Sequence, residues 1–161
     1  GYSMGGRVLL ELLPDLNLQK CQSINLLSSH VGQYLSEEKE ERFKFSQKCL
    51  SILETKGLNE FYQFWNTLPL FSMDSKTENS VWTVEEIRHF LKFWSDPKDL
   101  MLDFTKDEQS KIKYAYGEHD LKYADKAKRL AQKLTHVNLM ELAGRSHRLL
   151  NIEDMRKVLG L

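Results

Sequence analysis

Gly1-Tyr2-Ser3-Met4-Gly5-Gly6 sets a serine between glycines at Gly-x-Ser-x-Gly spacing. That is the pattern of a tight strand-to-helix turn, a nucleophile elbow, which lifts a hydroxyl above a sheet. A serine hydroxyl is a weak nucleophile until a base sits beside it and a third group orients the base. Two distant stretches offer those partners, Gly117-Glu118-His119-Asp120 and Ala143-Gly144-Arg145-Ser146-His147. In that arrangement His147 takes the Ser3 proton, and Asp120 holds the imidazole in the productive tautomer and stabilises its cation. The backbone N–H of Met4 supplies half of an oxyanion hole. Gly1 and Gly5 are expected to be glycines because a side chain at either would collide with backbone, and because the turn needs φ values glycine reaches cheaply. Each residue also has a plainer reading: Asp120 as a turn former in a turn-rich loop, His147 as one of five histidines in the chain. His119, next to Asp120, reads as structural, and His30 as a candidate for the pocket rim.

The elements that must position these groups are legible around them. After the serine, residues 4–13 (MGGRVLLELL) carry Val8, Leu9, Leu12 and Leu13 at helical spacing, and Pro14 ends the run. Residues 23–27 (SINLL) read as a short buried strand. Residues 113–116 and 137–142 read as two more strands, each running into one of the candidate loops. Three groups in the order Ser3, Asp120, His147, each just past a strand, follow the chain order of an α/β-hydrolase triad. Between them the rhythm changes. Helices are expected over 36–54 with Ser36 as N-cap, over 58–65, and over 83–94 with Thr83 and Glu86 as a capping box, with a further start at 98–104. Thirteen of the 17 aromatic residues fall between Tyr34 and Phe104, so this stretch is a packed helical insertion. Helices over 123–134 and 152–159 complete the chain.

The fold class that follows is α/β: the C-terminal portion of an α/β-hydrolase fold, a mostly parallel sheet flanked by helices, with an inserted helical lid. The expected partition is 1–32 for the elbow part of the core, 33–105 for the lid and 106–161 for the rest of the core. An elbow needs a strand in front of it, so further strands are expected upstream of Gly1, together with the loop that supplies the second oxyanion donor.

The 161 residues suffice for a real core. Lys plus Arg and Asp plus Glu number 23 each, so net charge argues for neither nucleic acid nor an anionic membrane as a partner. No apolar run approaches the ~18 residues of a membrane span. Cys21 and Cys49 lack CxxC spacing and read as reduced, buried thiols with no metal site. The expected protein is cytoplasmic and a monomer at full length.

Several segments resemble one branch of the α/β-hydrolase superfamily. Gly-Tyr-Ser-Met-Gly-Gly-Arg (1–7), Glu37-Glu38-x-x-Glu41-Arg42, Phe61-x-x-x-Trp65-x-x-x-Pro69-Leu70-Phe71 and Gly117-Glu118-His119-Asp120-Leu121-Lys122-Tyr123 are similar to motifs of the 2-succinyl-6-hydroxy-2,4-cyclohexadiene-1-carboxylate synthases of menaquinone biosynthesis. The resemblance implies a lyase that eliminates pyruvate from 2-succinyl-5-enolpyruvyl-6-hydroxy-3-cyclohexene-1-carboxylate, a small polycarboxylate, without metal or organic cofactor. It implies Ser3, Asp120 and His147 as the triad, Arg7 and Arg42 as carboxylate ligands, and Tyr2 and Trp65 as pocket lining. Where the family carries a further lid arginine this chain offers Lys92, with Arg88 one turn earlier. The family's Gly-Ala-Gly-His is here Gly144-Arg145-Ser146-His147. A triad alone leaves the reaction open: ester or carbon–carbon bond hydrolysis, and a remnant that only binds, stand beside the lyase.

Overall fold

A computed structural model describes residues 1–32, 34–71, 82–96, 99–100, 102–149 and 152–160. The chain divides into two compact units, Gly1–Gly32 with Leu100–Leu161, and Gln33–Asp99.

The first unit is built on three parallel strands in the order β1-β2-β3: β1 is Ile24–Leu27, β2 Ile112–Gly117 and β3 Asn138–Leu142. Ile24 faces Ile112 across the first pair and Lys113 faces Asn138 across the second. β2 is buried almost end to end, as expected of the central strand of a parallel sheet covered on both faces. Residues 1–3 run alongside the free edge of β1. Tyr2 pairs in parallel with Leu27, the Leu27 N–H donates to the Gly1 carbonyl at 2.9 Å, and the Ser3 N–H donates to the Leu27 carbonyl at 2.8 Å. All parallel strands point the same way, so the segments leaving their C-terminal ends gather along one rim. Those segments are the turn at Ser3, residues 28–32, Gly117–Asp120 and Gly144–His147.

Helices α1 (Met4–Leu12), α5 (Lys106–Ser110), α6 (Leu121–Lys133) and α7 (Ile152–Leu159) belong to this unit. α6 buries Tyr123, Ala127 and Leu130, a single stripe at helical spacing. Leu27, Ala115, Leu142, Leu149 and Val158 form a core cluster between sheet and α7. The further helix start expected at 98–104 falls partly outside the described residues. Residues 99–100 and 102–105 are not helical, and α5 starts at Lys106 because Thr105 and Glu108 make a reciprocal capping box there.

The second unit holds α2 (Ser36–Lys56), α3 (Leu58–Asn66) and α4 (Val84–Ser95). Cys49, Leu50, Leu53, Phe61, Ile87 and Leu91 form its core, with Phe45, Phe64, Trp65 and Phe90 packed against it. Thr83 and Glu86 cap α4 as the sequence implies. Ser36 is not the cap of α2. Leu35 holds that position, and its own N–H is satisfied by the Glu38 carboxylate at 3.1 Å, the half of a capping box that a first-turn acid supplies. Burial of Cys49 pushes its thiol up to about 12, which keeps it protonated and inert. Cys21 is only partly buried, contrary to expectation, because it follows a one-turn 3-10 helix at the surface. Among the described residues no helix is long and apolar enough to cross a membrane.

Candidate active site

Ser3 sits at φ 49°, ψ −117°, immediately before the first residue of α1. A non-glycine residue with positive φ is strained at a cost of about 1–3 kcal/mol and persists only where its surroundings enforce it. Here the enforcing contacts are the Ser3–Leu27 ladder bond on one side and the first turn of α1 on the other, where Gly6 N–H donates to Tyr2 at 3.3 Å. The positive φ therefore falls on the serine and on neither glycine of its motif. The expected collision at Gly1 is present: a Cβ there would lie 2.5 Å from the Gly6 Cα. At Gly5 a Cβ would meet nothing within 4 Å, and the crowded position is Gly6, whose added Cβ would lie 1.9 Å from Ser29 Oγ. Gly5 is exposed, whereas Gly6 is buried against the segment that follows β1.

The three groups named from sequence come together. His147 Nδ1 lies 2.7 Å from Asp120 Oδ2, and its Nε2 lies 3.2 Å from Ser3 Oγ. A carboxylate only accepts, so Nδ1 carries the proton and donates to Asp120, leaving Nε2 to accept from the Ser3 hydroxyl. Asp120 and His147 are 3% and 1% exposed, and Ser3 is partly exposed, so the pair that must hold its geometry is dry while the serine is not closed off. Asp120 serves twice, since its other carboxylate oxygen accepts from the Tyr123 N–H at 3.4 Å and caps α6. The Met4 N–H is at the first position of α1, among those a helix leaves without an intrahelical acceptor.

Backbone contacts hold the two loops against each other. His119 N–H donates to the Arg145 carbonyl at 2.8 Å, Glu118 N–H to the Leu142 carbonyl at 3.0 Å, and Gly144 N–H to the Glu118 carboxylate at 2.7 Å. The approach is so close at Gly117 that a Cβ there would lie 2.2 Å from the Ser146 carbonyl oxygen and 2.5 Å from that of Arg145. Both are backbone atoms and cannot swing aside. Gly117→Ala is accordingly expected to displace the histidine loop, lowering turnover about 10- to 100-fold and stability by about 1–3 kcal/mol. Steady-state kinetics and a denaturant melt on the same preparation check both.

Aromatic rings flank the imidazole. Tyr123 stacks on it with centroids 4.7 Å apart, and Tyr2 lies 5.4 Å away at 41°. Nothing in the spacing of Tyr123 gives it a role beside the imidazole, and only the motif that holds Asp120 contains it. Tyr114, three residues before the end of β2, donates its hydroxyl to the Ser29 carbonyl at 2.6 Å. Burial first, then the proximity of Tyr123 and Asp120, push its phenol far up, so it stays neutral.

Arg7 is 2% exposed, with its Nε 3.1 Å from Glu11 and an Nη donating to the Gly32 carbonyl at 2.9 Å. The guanidinium thus ties α1 to the segment after β1. His30, in that segment, is 1% exposed, and His119 keeps an exposed side chain while its backbone joins the loops. Arg42 and Trp65 belong to the second unit. There the Arg42 guanidinium lies over the Trp94 ring at 3.9 Å and the Tyr34 ring at 5.1 Å, two partners that i,i+4 reasoning along α2 does not reach. Trp65 packs among Phe61, Phe45, Phe71 and Phe90 at 5.5–6.3 Å. Arg88 pairs with Glu54 and Glu85.

Ser28 carries the other positive φ, 41°, among non-glycine described residues. It has no exposed surface, and its hydroxyl has no hydrogen-bond partner among the described residues. Ser28→Gly removes the strain and the unsatisfied hydroxyl together, against the extra freedom glycine gives the unfolded chain. A net gain of about 1 kcal/mol, two to four degrees in Tm, is the expected balance; a calorimetric scan reads it.

No family model and no curated protein sequence matches the chain. Solved structures do. MenH from S. aureus superposes with a TM-score of 0.70 at 22% identity, over 99% of this chain and 65% of that one. A carboxylesterase structure from the ammonia-oxidizing thaumarchaeon Nitrososphaera gargenis gives 0.60 at 13% identity, over 99% and 61%. The likeness is one of fold: the chain has part of an α/β-hydrolase fold, and it spans just under two thirds of the length of each of these structures.

Proposed function

We propose that Ser3, His147 and Asp120 form a catalytic triad, and that the protein carrying this chain eliminates pyruvate from 2-succinyl-5-enolpyruvyl-6-hydroxy-3-cyclohexene-1-carboxylate. The observation that carries the triad is the unbroken run from Asp120 through both imidazole nitrogens to a hydroxyl on a strained turn. The motif resemblance and the structural likeness to MenH favour the elimination.

In this reading His147 accepts the Ser3 proton, and the resulting alkoxide removes the proton α to the succinyl carbonyl. The electron pair moves onto the carbonyl oxygen, where the Met4 N–H is one donor. As the carbonyl re-forms, a double bond forms between ring carbons 2 and 3, the existing ring double bond shifts from carbons 3 and 4 to carbons 4 and 5, and the bond from carbon 5 to the enolpyruvyl oxygen breaks. The departing enolate takes a proton and becomes pyruvate. A positioned acid–base pair contributes about 10²–10⁴-fold to such a step, and one oxyanion donor about 10²–10³-fold. By the motif match, Arg7 and Arg42 bind substrate carboxylates, with Tyr2 and Trp65 beside the ring.

A second reading is hydrolysis of an ester through an acyl-enzyme. It is favoured by the carboxylesterase likeness and by an Arg7 already paired within the chain. The two separate in one experiment: pyruvate release from the succinyl substrate, and release of alcohol from small neutral esters, each measured with Arg7→Ala beside the parent. The elimination predicts pyruvate release that Arg7→Ala weakens. Ester turnover indifferent to Arg7→Ala, without pyruvate release, would replace it.

A further inference from the structure

Arg145 stands two residues before His147 and reaches in two directions. Its Nε donates to Asp154 Oδ1 at 2.9 Å and an Nη lies 3.5 Å from Glu153, both in the first turn of α7. Its carbonyl accepts the His119 N–H at 2.8 Å, next to Asp120. One residue thus joins α7, the histidine loop and the aspartate loop.

The pair with Asp154 differs from the ordinary surface pairs of this unit. Arg129 and Asp125 are each about half exposed and lie one turn apart on a single helix, the kind of pair that contributes little. Asp154 has no exposed surface, and its partner sits nine residues away in another segment. Removing the guanidinium takes a charge partner away from a carboxylate in the interior, where such a loss costs most. The fixed geometry of the guanidinium also sets where the loop backbone lies, which a lysine ammonium does not. Meanwhile the Gly117 backbone abuts the Arg145 and Ser146 carbonyls, so the loop has no room to move inward. Held by α7 on one side and stopped by β2 on the other, His147 has little freedom to leave its 2.7 Å bond to Asp120.

We propose that Arg145 is a positioning residue for His147: it anchors the histidine loop to the buried Asp154 of α7 and so sets the imidazole between Asp120 and Ser3. The proposal rests on the triad reading given above. A purely structural arginine would change stability and leave the imidazole as it is.

The test uses two readouts on the protein that carries this chain. One is the proton NMR resonance of His147 Nδ1–H, far downfield when the proton is held by a buried carboxylate. The other is the rate at which a fluorophosphonate probe labels Ser3, where Oγ bonds to phosphorus, fluoride leaves and His147 takes the hydroxyl proton. Arg145→Ala is expected to broaden or remove the resonance and to slow labelling about 10- to 100-fold per folded molecule. Arg145→Lys, which keeps the charge without the fork, falls between parent and alanine and decides the matter if the alanine variant does not fold. Asp154→Asn shifts both readouts in the same direction. An unaltered resonance and labelling rate in Arg145→Lys and Asp154→Asn would overturn the proposal. Labelling that persists in Ser3→Ala would instead remove the nucleophile assignment, and the resonance would still report on Arg145.

Discussion

Ser3→Ala is expected to lower kcat by on the order of 10⁴-fold or more while KM and the fold stay close to the parent's. The Ser3 hydroxyl meets the His147 imidazole at 3.2 Å, and alanine removes that group while keeping the Cβ. The backbone at this position is strained whether serine or alanine occupies it, because the φ of 49° is imposed by the Leu27 ladder and by α1. The stability change is therefore limited to one hydrogen bond, about 1 kcal/mol. Single-turnover kinetics with a thermal melt separate the two quantities. Retained turnover in a folded Ser3→Ala protein contradicts the triad whichever substrate is used.

Asp120→Asn is the second large effect, a loss in kcat on the order of 10⁴-fold. Asparagine presents an amide that can donate where the carboxylate only accepts. Facing Nδ1, that donor favours the tautomer with the proton on Nε2, which then cannot take the Ser3 proton. The cap on α6 should survive, since asparagine accepts a backbone N–H as well as aspartate does and the Tyr123 N–H contact is with the other carboxylate oxygen. Stability should accordingly fall by less than about 2 kcal/mol. Activity lost without collapse of the fold is the signature to look for. Equal losses in both would make Asp120 a cap and nothing more.

How far these groups could be read from sequence depended on whether their signal was local. The serine turn, the two downstream loops and the strands before them are short-range patterns: a glycine spacing, apolar runs of four to six residues, turn-forming residues after them. Those patterns put Ser3, Asp120 and His147 just past three separate extended segments, and parallel pairing through β1 does the rest by aligning their C-terminal ends. Contacts between distant segments left no such trace. Nothing around Gly117 announces that the Ser146 carbonyl lies against it, and nothing around Gly6 announces Ser29. Gly5 carried the motif and has open space, so the spacing was right and the steric reason attached to it was not. Arg7 shows the intermediate case. Its i,i+4 relation to Glu11 is visible in the sequence, but the bond to the Gly32 carbonyl that completes its burial is not. Arg145 stands out in the sequence only as a departure from Gly-Ala-Gly-His, and its partner lies in a helix whose face periodicity alone does not single out Asp154.

The central claim is that Ser3 is activated by an imidazole that Asp120 holds. Its most direct test is mass spectrometry of peptides from the protein after treatment with a fluorophosphonate probe, with parent, His147→Ala and Asp120→Asn treated side by side. The account predicts the phosphonyl adduct on the peptide containing Ser3 in the parent and little or none in either variant. A parent protein that stays unlabelled, or one labelled at Ser3 equally well in all three, would contradict it.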